Sequence, residues 1–145
     1  MKQLCKWAQQ YGPLVGRLLM ANIFLVSGFS KLKGFAGTAG YMAATMSSVD
    51  PTLIKLMLVA TIIIELGGGL MILLGWQARW GATALLLWMI PVTYIFHAYW
   101  GLPPDQMTPQ FINFQKNMAM MGGMLYIIAY GSGPYSLGKG QDCRE

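Results

Sequence analysis

The stretch TLIKLMLVATIIIELGGGLMILLG, residues Thr52–Gly75, decides the fold of this chain. About 20 consecutive apolar residues in a helix cross the hydrocarbon core of a bilayer, and this stretch is long enough to do so. Its one interior charge is the carboxylate of Glu65. Because a short carboxylate at mid-depth cannot reach the interface, it must be paired, hydrated or protonated. We therefore expect Glu65 to act in function or in a buried polar network, with a structural ion pair as the alternative.

The composition of the whole chain is that of a membrane protein. Of its 145 residues, 55% are hydrophobic and only 10% are charged, whereas soluble domains carry about 25% charged residues. The net charge of +5 comes from lysines and arginines that flank the apolar runs, so helix-end anchoring explains it better than binding to nucleic acid. The first apolar run is longer than the core of a signal peptide and contains Arg17, so we expect it to be retained as a span.

Four apolar runs predict four membrane-spanning helices in a single domain, residues 1–145. The predicted spans are 13–32, 52–75, 79–99 and 112–131. Short connections between them favour an all-α fold, an antiparallel four-helix bundle. Pro13 and the pair Asp50-Pro51 are typical of helix starts, and Pro91 predicts a kink near Leu87 in the third span.

The segment between the first two spans, Lys33–Val49, is too polar and too short to cross the membrane. Within it, Thr38–Met46 predicts a short interfacial helix capped by Thr38, and an ordered loop is an equal alternative. Lysines and arginines are slightly more frequent on the side of the two chain ends. This bias favours both termini in the cytoplasm.

Cysteine and histidine usage restricts the metal and redox chemistry of the chain. Cys5 and Cys143 lie at opposite ends without a C-x-x-C motif, which argues against a zinc site or a dithiol relay and leaves a terminal disulfide as a minor alternative. His97 is the only histidine, so a bis-His haem within one chain is excluded and a His/Met haem is a minor alternative. Because His97 and a distant Glu65 are too few ligands, we expect no metal site and no intrinsic cofactor.

One face of the first span carries a cation near each end. Arg17, Ala21, Phe24, Gly28 and Lys31 follow one another at helical spacing, so this face should point into the bundle. Two interpretations of Arg17 stay open, an interfacial anchor and an intramembrane partner for Glu65. The simplest interpretation of Lys31 is a helix-end cation.

The third and fourth spans carry further polar side chains. His97 follows Tyr94 near the end of the third span, and a proton relay or a hydrogen bond to a ligand oxygen competes with an interfacial histidine without a role. Asn113, Lys116 and Asn117 share one side of the fourth span, where they contact either neighbouring helices or a polar head group. By depth, these groups and Lys31 lie in the outer half of the bundle above Glu65. The sequence therefore predicts a polar-lined pocket that opens outward.

With these residues in place, the chain resembles the DoxX family of small bacterial four-helix inner-membrane proteins. The resemblance covers residues 16–42, 63–82, 97–100 and 112–125. It implies a location in the bacterial inner membrane and no settled reaction, since some relatives resemble subunits of thiosulfate:quinone oxidoreductases and others are linked with redox-stress complexes. The positions that it marks for testing are Arg17, Lys31, Glu65, His97, Lys116 and Asn117.

The leading hypothesis is a component of a membrane oxidoreductase system that binds a quinone-like or other amphiphilic ligand. Glu65 and His97 are the candidate proton relay. The candidate ligand-binding residues are Arg17, Lys31, Tyr94, Asn113, Lys116 and Asn117. Electron transfer requires a partner protein, since the chain has no flavin, iron–sulfur or haem motif, and the lack of paired cysteines argues against intrinsic thiol oxidation. The alternatives are a non-enzymatic module that binds or transports lipid or a small hydrophobic molecule, and an assembly scaffold within a homo-oligomer or a larger complex.

Overall fold

The computed structural model describes residues 1–138 and contains five α-helices and no strand in that range. The helices are α1 (Lys2–Lys33), α2 (Phe35–Thr45), α3 (Pro51–Leu74), α4 (Ala78–Phe96) and α5 (Pro104–Tyr130). The predicted all-α class is therefore confirmed. Cys143, the partner in the alternative terminal disulfide, lies outside the described residues.

Three helices of the described part, α1, α3 and α4, are long and apolar enough to cross a membrane. The fourth predicted span, 112–131, falls within α5, which has 27 residues but does not reach the same hydropathy. The polar side chains of Asn113, Gln115, Lys116 and Asn117 lower the hydropathy of its middle part. Three of the four predicted spans thus have the length and composition of a membrane helix.

The start and the end of α3 follow from local chemistry. Asp50 Oδ1 accepts hydrogen bonds from the amides of Thr52 and Leu53, at 2.8 and 3.3 Å, so it satisfies two amides that have no partner within the helix. Pro51 occupies the first helical position, where its missing N–H costs nothing. Gly75 ends the helix at a φ of 66°, a left-handed conformation that glycine adopts without strain. The predicted bounds of this span are correct to within one residue.

The expectation that Pro13 opens the first span is wrong. α1 begins at Lys2, and Pro13 lies inside it. The ring of a proline normally clashes with the Cβ of the preceding residue in a helix, but that residue is Gly12, which has no Cβ. Gly133 also packs directly against the Pro13 ring. The helix therefore continues through the proline.

The short helix between the first two spans exists, but Thr38 does not cap it. α2 begins at Phe35, after Gly34, and Thr38 Oγ1 donates a hydrogen bond to the Gly34 carbonyl at 3.1 Å. A threonine hydroxyl inside a helix can donate to the carbonyl four residues earlier. Thr38 therefore has a hydrogen-bond partner without standing at the start of the helix. Met42 is buried and joins α2 to Ile54 on α3.

The bounds of the last two helices also differ from the predicted ones. α4 includes Pro91 and ends at Phe96, so Tyr99 lies beyond it. α5 begins at Pro104 instead of Ile112, because the segment predicted as a turn supplies a proline at the first helical position, and Asp105 follows in the first turn. Both residue types favour a helix N-terminus.

The helices pack in chain order around an apolar core. α1 packs on α3, α3 on α4, and α4 on α5, while α2 packs mainly on α3. The core residues from α1, α3, α4 and α5 are Ala21, Phe24, Ile72, Ala82, Leu85, Met89 and Met124. α3 and α4 approach closely at Gly68, since a Cβ there would lie 2.7 Å from Leu85 Cγ and 3.1 Å from the Gly81 carbonyl.

Residues 131–138, which we call the C-terminal strap, fold back against α1 and the end of α3. The amides of Leu137 and Gly138 donate to the carbonyls of Leu74 and Gly75 at 2.9 and 3.2 Å. Tyr135 stacks on Tyr11 of α1 with a distance of 5.7 Å between ring centroids. The strap thus connects α1 to the α3–α4 turn.

Candidate functional site

Glu65 forms an ion pair with Lys31. Lys31 Nζ lies 2.9 Å from each carboxylate oxygen of Glu65 and also donates to Ser27 Oγ one turn earlier on α1. The side chains of Lys31 and Glu65 are only 26% and 12% exposed. The interpretation of Lys31 as a simple helix-end cation is therefore wrong, because its ammonium group pairs with a carboxylate on α3.

Gly28 allows the two helices to approach closely enough for this ion pair. A Cβ at position 28 would lie 2.7 Å from Leu66 Cδ2 and 3.4 Å from Glu65 Cβ. Any larger residue would therefore separate α1 from α3 or displace Leu66. Since Lys31 is three residues further along α1, it lies on the same face as Gly28 and faces Glu65.

Arg17 does not pair with Glu65. It is buried, with 2% of its surface exposed, and one terminal nitrogen donates to the carbonyls of Pro134 and Tyr135 at 3.2 and 2.7 Å. Because Arg17 lies nearly four helical turns before Lys31, it faces the C-terminal strap instead of the middle of α3. Both predicted roles of Arg17, the interfacial anchor and the partner for Glu65, are replaced by this contact.

A cavity of about 330 Å³ lies beside the ion pair and is lined by all five helices. Its lining is mostly apolar, with Phe24, Leu58, Met89 and Phe96 among the contributing residues. Five of the predicted site residues line it as well, namely Lys31, Glu65, His97, Lys116 and Asn117. Groups that are far apart in the chain thus come together at one cavity.

His97 caps the end of α4 and contacts α5. Its Nδ1 lies 3.0 Å from Gln110 Oε1. When Nδ1 donates to this amide oxygen, Nε2 is left as an acceptor that another group can use.

Asn117 and Lys116 are neighbours that differ in burial. Asn117 is buried, and its Nδ2 donates to Thr93 Oγ1 at 3.0 Å, a bond that connects α5 to α4. Lys116 is exposed, and its Nζ donates to Asn113 Oδ1 at 3.0 Å. An ammonium group has three hydrogens, so Lys116 keeps donors for a further acceptor.

Three of the predicted ligand-binding residues do not line the cavity, namely Arg17, Tyr94 and Asn113. Tyr94 is 65% exposed, and its ring packs on Trp100 at a centroid distance of 5.4 Å. Asn113 reaches the cavity only through its hydrogen bond to Lys116. Tyr94 therefore belongs to an aromatic group at the end of α4, which is typical of a membrane interface.

Several lining residues were not predicted. Ser27 lies four residues before Lys31, a spacing at which helical side chains meet, so the sequence contained a usable signal. Thr61 is buried at the cavity and lies four residues before Glu65 in the same way. Thr38 and Tyr41 of α2 also line the cavity, but the orientation of a short interfacial helix cannot be deduced from its own sequence.

Within residues 1–138, no three side chains from His, Cys, Asp and Glu lie close enough together to hold a metal ion. The polar groups at the cavity include a carboxylate, two ammonium groups, an imidazole, an amide and the hydroxyl groups of Ser27, Thr38, Tyr41 and Thr61. Surrounded by apolar side chains, such a set can bind an oxygen-containing head and exclude water from it.

Comparisons with known proteins identify the family of the chain. The family model described as DoxX matches residues 12–98, which include Lys31, Glu65 and His97 but not α5. The inner membrane protein YphA of Escherichia coli K12 is 31% identical over 87% of this chain and 87% of its own length. The inner membrane protein YqjF of the same organism is 31% identical over 92% of this chain and 95% of its own length.

A more distant relative is the Surfeit locus protein 4 homolog of Schizosaccharomyces pombe, 24% identical over 88% of this chain and 36% of its own length. No solved structure matches the chain significantly. The apolar helices and the two inner membrane relatives support a multi-pass protein of the bacterial inner membrane. On the family match and the identity to YphA and YqjF, the chain belongs to the DoxX family.

Proposed function

We propose that this protein binds a quinone-like amphiphile in the cavity and acts as a component, without its own redox centre, of a membrane oxidoreductase system. The observation that carries the proposal is that Lys31, Glu65, His97, Lys116 and Asn117 line one apolar cavity. Its volume of about 330 Å³ falls within the range of about 300–1,000 Å³ of small-molecule pockets.

The polar groups of the cavity complement the two oxygens of a quinone-like head. Lys116 has hydrogens available for a carbonyl oxygen. His97 Nε2 accepts a hydrogen bond from a hydroxyl, the group that appears when such a head is reduced. Donor and acceptor together suit both redox forms of the ligand.

Reduction of a quinone takes up two electrons and two protons, and a partner subunit supplies the electrons. Glu65 and His97 are the groups of this chain that hold and transfer the protons. Lys31 keeps the Glu65 carboxylate in place at 2.9 Å and compensates its charge away from water. Rotation of the Lys31 side chain away from Glu65 would leave the carboxylate able to accept a proton.

We propose further that α5 is a fourth crossing, antiparallel to α4, and that both termini are cytoplasmic. α5 is 27 residues long and packs on α4, and the polar residues that lower its hydropathy include Lys116 and Asn117 at the cavity. The side chains of Tyr126 and Tyr130 are 71% and 74% exposed near the end of α5, where aromatic residues are typical of an interface. Single cysteines introduced in the 97–103 turn and near the termini test this topology. A membrane-impermeant thiol reagent added from outside should label the turn and not the termini.

Equilibrium binding of a benzoquinone that lacks an apolar chain tests the head-group site. Purified protein in lipid nanodiscs is titrated with this probe, and Lys116→Met is expected to weaken binding about tenfold, the effect of a lost charged hydrogen bond. Lys55→Met is the matched control, because Lys55 is an exposed lysine that does not line the cavity. Equal affinity of the two variants would contradict the proposal.

A second candidate is a module that binds a lipid or small hydrophobic molecule without redox chemistry. It is favoured by the closure of the ion pair, in which both carboxylate oxygens of Glu65 are engaged by Lys31. A carboxylate whose two oxygens both accept from an ammonium group is better suited to holding two helices together than to carrying a proton. Mass spectrometry of the co-purified ligand separates the two functions, since only the oxidoreductase component binds a redox-active molecule.

A further inference from the structure

Asn22 lies at the middle of the first predicted span, 13–32, on a helix that is apolar enough to cross the bilayer. Its side chain is exposed, and the described part of the chain gives it no hydrogen-bond partner. By contrast, Glu65 at a similar depth is in an ion pair, and Asn117 is bonded to Thr93. A carboxamide that faces hydrocarbon without a partner is unfavourable. Asn22 therefore indicates that something polar covers this side of α1.

Asn22 belongs to a row of outward-facing residues on α1, which we call the outward stripe. Val15, Leu19, Asn22, Val26 and Phe29 follow one another at intervals of four, three, four and three residues, and all of them are exposed. Such an average interval of 3.5 residues keeps side chains on the seam between two helices that pack lengthwise. Lipid would cover the apolar members of the stripe equally well, so the amide at its centre decides what the stripe contacts.

A shallow groove on the same surface contains Asn22 and is bordered by Leu19, Val26 and Ser30. The described residues that line it all come from α1, so the other helices of the bundle leave it open to a helix from outside. Side chains of one helix pack into such grooves on another. The surface around Asn22 thus has the relief that a packed helix requires.

A second copy of the chain supplies a polar partner at the correct depth. Copies of a membrane protein insert in the same orientation, so Asn22 of each copy lies at the same level. A two-fold axis along the membrane normal places a residue near the axis opposite itself. Because a carboxamide both donates and accepts, two Asn22 side chains satisfy each other, as polar side chains do between membrane helices. A hydrocarbon chain offers neither group, and an unrelated protein would need a polar residue at the same depth.

We propose that two copies of this protein form a parallel dimer in the membrane through α1, with the outward stripes along the seam and Asn22 of one copy hydrogen-bonded to Asn22 of the other. A single polar residue in an apolar seam also fixes its register and the number of helices. The dimer goes beyond the proposed function and does not depend on the ligand of the cavity, so its test is independent of that function.

Fluorescence energy transfer between copies labelled at the exposed Cys5 measures the association. Full-length protein with Cys143→Ser is reconstituted in liposomes at a series of protein-to-lipid ratios, which yields a dissociation constant. Asn22→Leu should weaken association about tenfold, because it removes the hydrogen bonds between the helices. Asn22→Gln keeps a carboxamide and should retain most of the association. Gln115→Leu is the matched control, since it removes an exposed amide from α5 and should leave the constant unchanged.

Disulfide crosslinking locates the interface. In a Cys5→Ser/Cys143→Ser background, Val26→Cys should form a crosslinked dimer in the membrane, because Val26 is 60% exposed on the outward stripe. Ile63→Cys is the control, since Ile63 is 65% exposed on α3 and lies away from the proposed seam. It should remain monomeric under the same oxidant.

A wild type that is monomeric in liposomes, or an Asn22→Leu variant that associates as tightly as the wild type, overturns the inference. Equal crosslinking of the Val26→Cys and Ile63→Cys variants overturns it too, and so does crosslinking of Val26→Cys to a different protein in native membranes. Circular dichroism should show unchanged helix content in Asn22→Leu. A loss of helix content would assign the amide to the interior of the monomer and would also contradict the dimer.

Discussion

Lys31 on α1 and Glu65 on α3 form an ion pair in the apolar interior, with Lys31 Nζ 2.9 Å from both carboxylate oxygens. Among residues 1–138, it is the one salt bridge that the structure shows. The pair connects the two helices at the position where Gly28 lets them approach. Because both side chains are largely buried, each depends on the other for its charge to be tolerated.

Removing one partner of this pair should destabilise the protein. Lys31→Met leaves the Glu65 carboxylate unpaired, and we expect a loss of about 2–3 kcal/mol, less than for a fully buried pair because Lys31 is partly exposed. The double variant Lys31→Glu/Glu65→Lys should recover part of the loss, since it restores opposite charges. The measurement is the free energy of unfolding by SDS titration in mixed micelles. If Lys31→Met is as stable as the wild type, the pair has no structural role.

The absence of a side chain at Gly28 should matter more than at other glycines of α1. Gly28→Ala places a Cβ 2.7 Å from Leu66 Cδ2, and we expect a destabilisation of about 1–3 kcal/mol from overpacking. Gly16→Ala is the matched control, since nothing lies within 4 Å of its added Cβ, and a gain of about 0.5 kcal/mol is expected there. Unfolding titrations of the two variants should move in opposite directions, and a shift of both in the same direction would argue against close packing at Gly28.

Arg17 should hold the C-terminal strap in place. Arg17→Ala removes the donor to the Pro134 and Tyr135 carbonyls, and a hydrogen bond from a charged group contributes about 1.5–3 kcal/mol. We therefore expect faster hydrogen exchange at the Leu137 amide, which is bonded to Leu74. Lys6→Ala, an exposed cation of the same helix, serves as the control. Unchanged exchange in Arg17→Ala would show that the strap does not depend on this contact.

The cap of α3 should make stability depend on pH. Backbone hydrogen bonds from Thr52 and Leu53 lower the pKa of Asp50 below its ordinary value. A lowered pKa in the folded state stabilises the protein above the ordinary carboxyl pKa, about 3.9, and this contribution is lost as the pH falls toward the lower folded-state value. Asp50→Asn keeps a capping oxygen but cannot titrate, so the difference in stability from the wild type should shrink on acidification. A difference that is constant over about pH 3–7 would contradict the assignment.

The parts of the fold that local chemistry controls were predictable from the sequence. The bounds of α3 follow from Asp50, Pro51 and Gly75, and the inward face of α1 follows from the spacing of residues that include Phe24 and Gly28, both buried. Of the six polar residues predicted to lie close together in the outer half, all but Asn113 line one cavity, because helix depth can be counted along each span.

Long-range partners were not predictable in the same way. The sequence does not reveal that Arg17 meets carbonyls of the C-terminal strap, since that contact joins residues 117 and 118 positions apart. Tyr94 shares the helix of His97 but faces outward, because helix rotation near the end of a span depends on tertiary packing. The α2 lining was missed for the same physical reason.

The most direct measurement of the central claim is native mass spectrometry of the purified protein and two tryptophan variants. Met89→Trp fills the cavity, where Met89 is 6% exposed, whereas Leu87→Trp adds the same ring at a position that is 63% exposed on the same helix. Circular dichroism first establishes that both variants keep the helix content of the wild type. We expect a bound quinone-like amphiphile in the wild type and Leu87→Trp, and its loss in Met89→Trp. Equal retention of the ligand by all three proteins, or its absence from the wild type, would contradict the account.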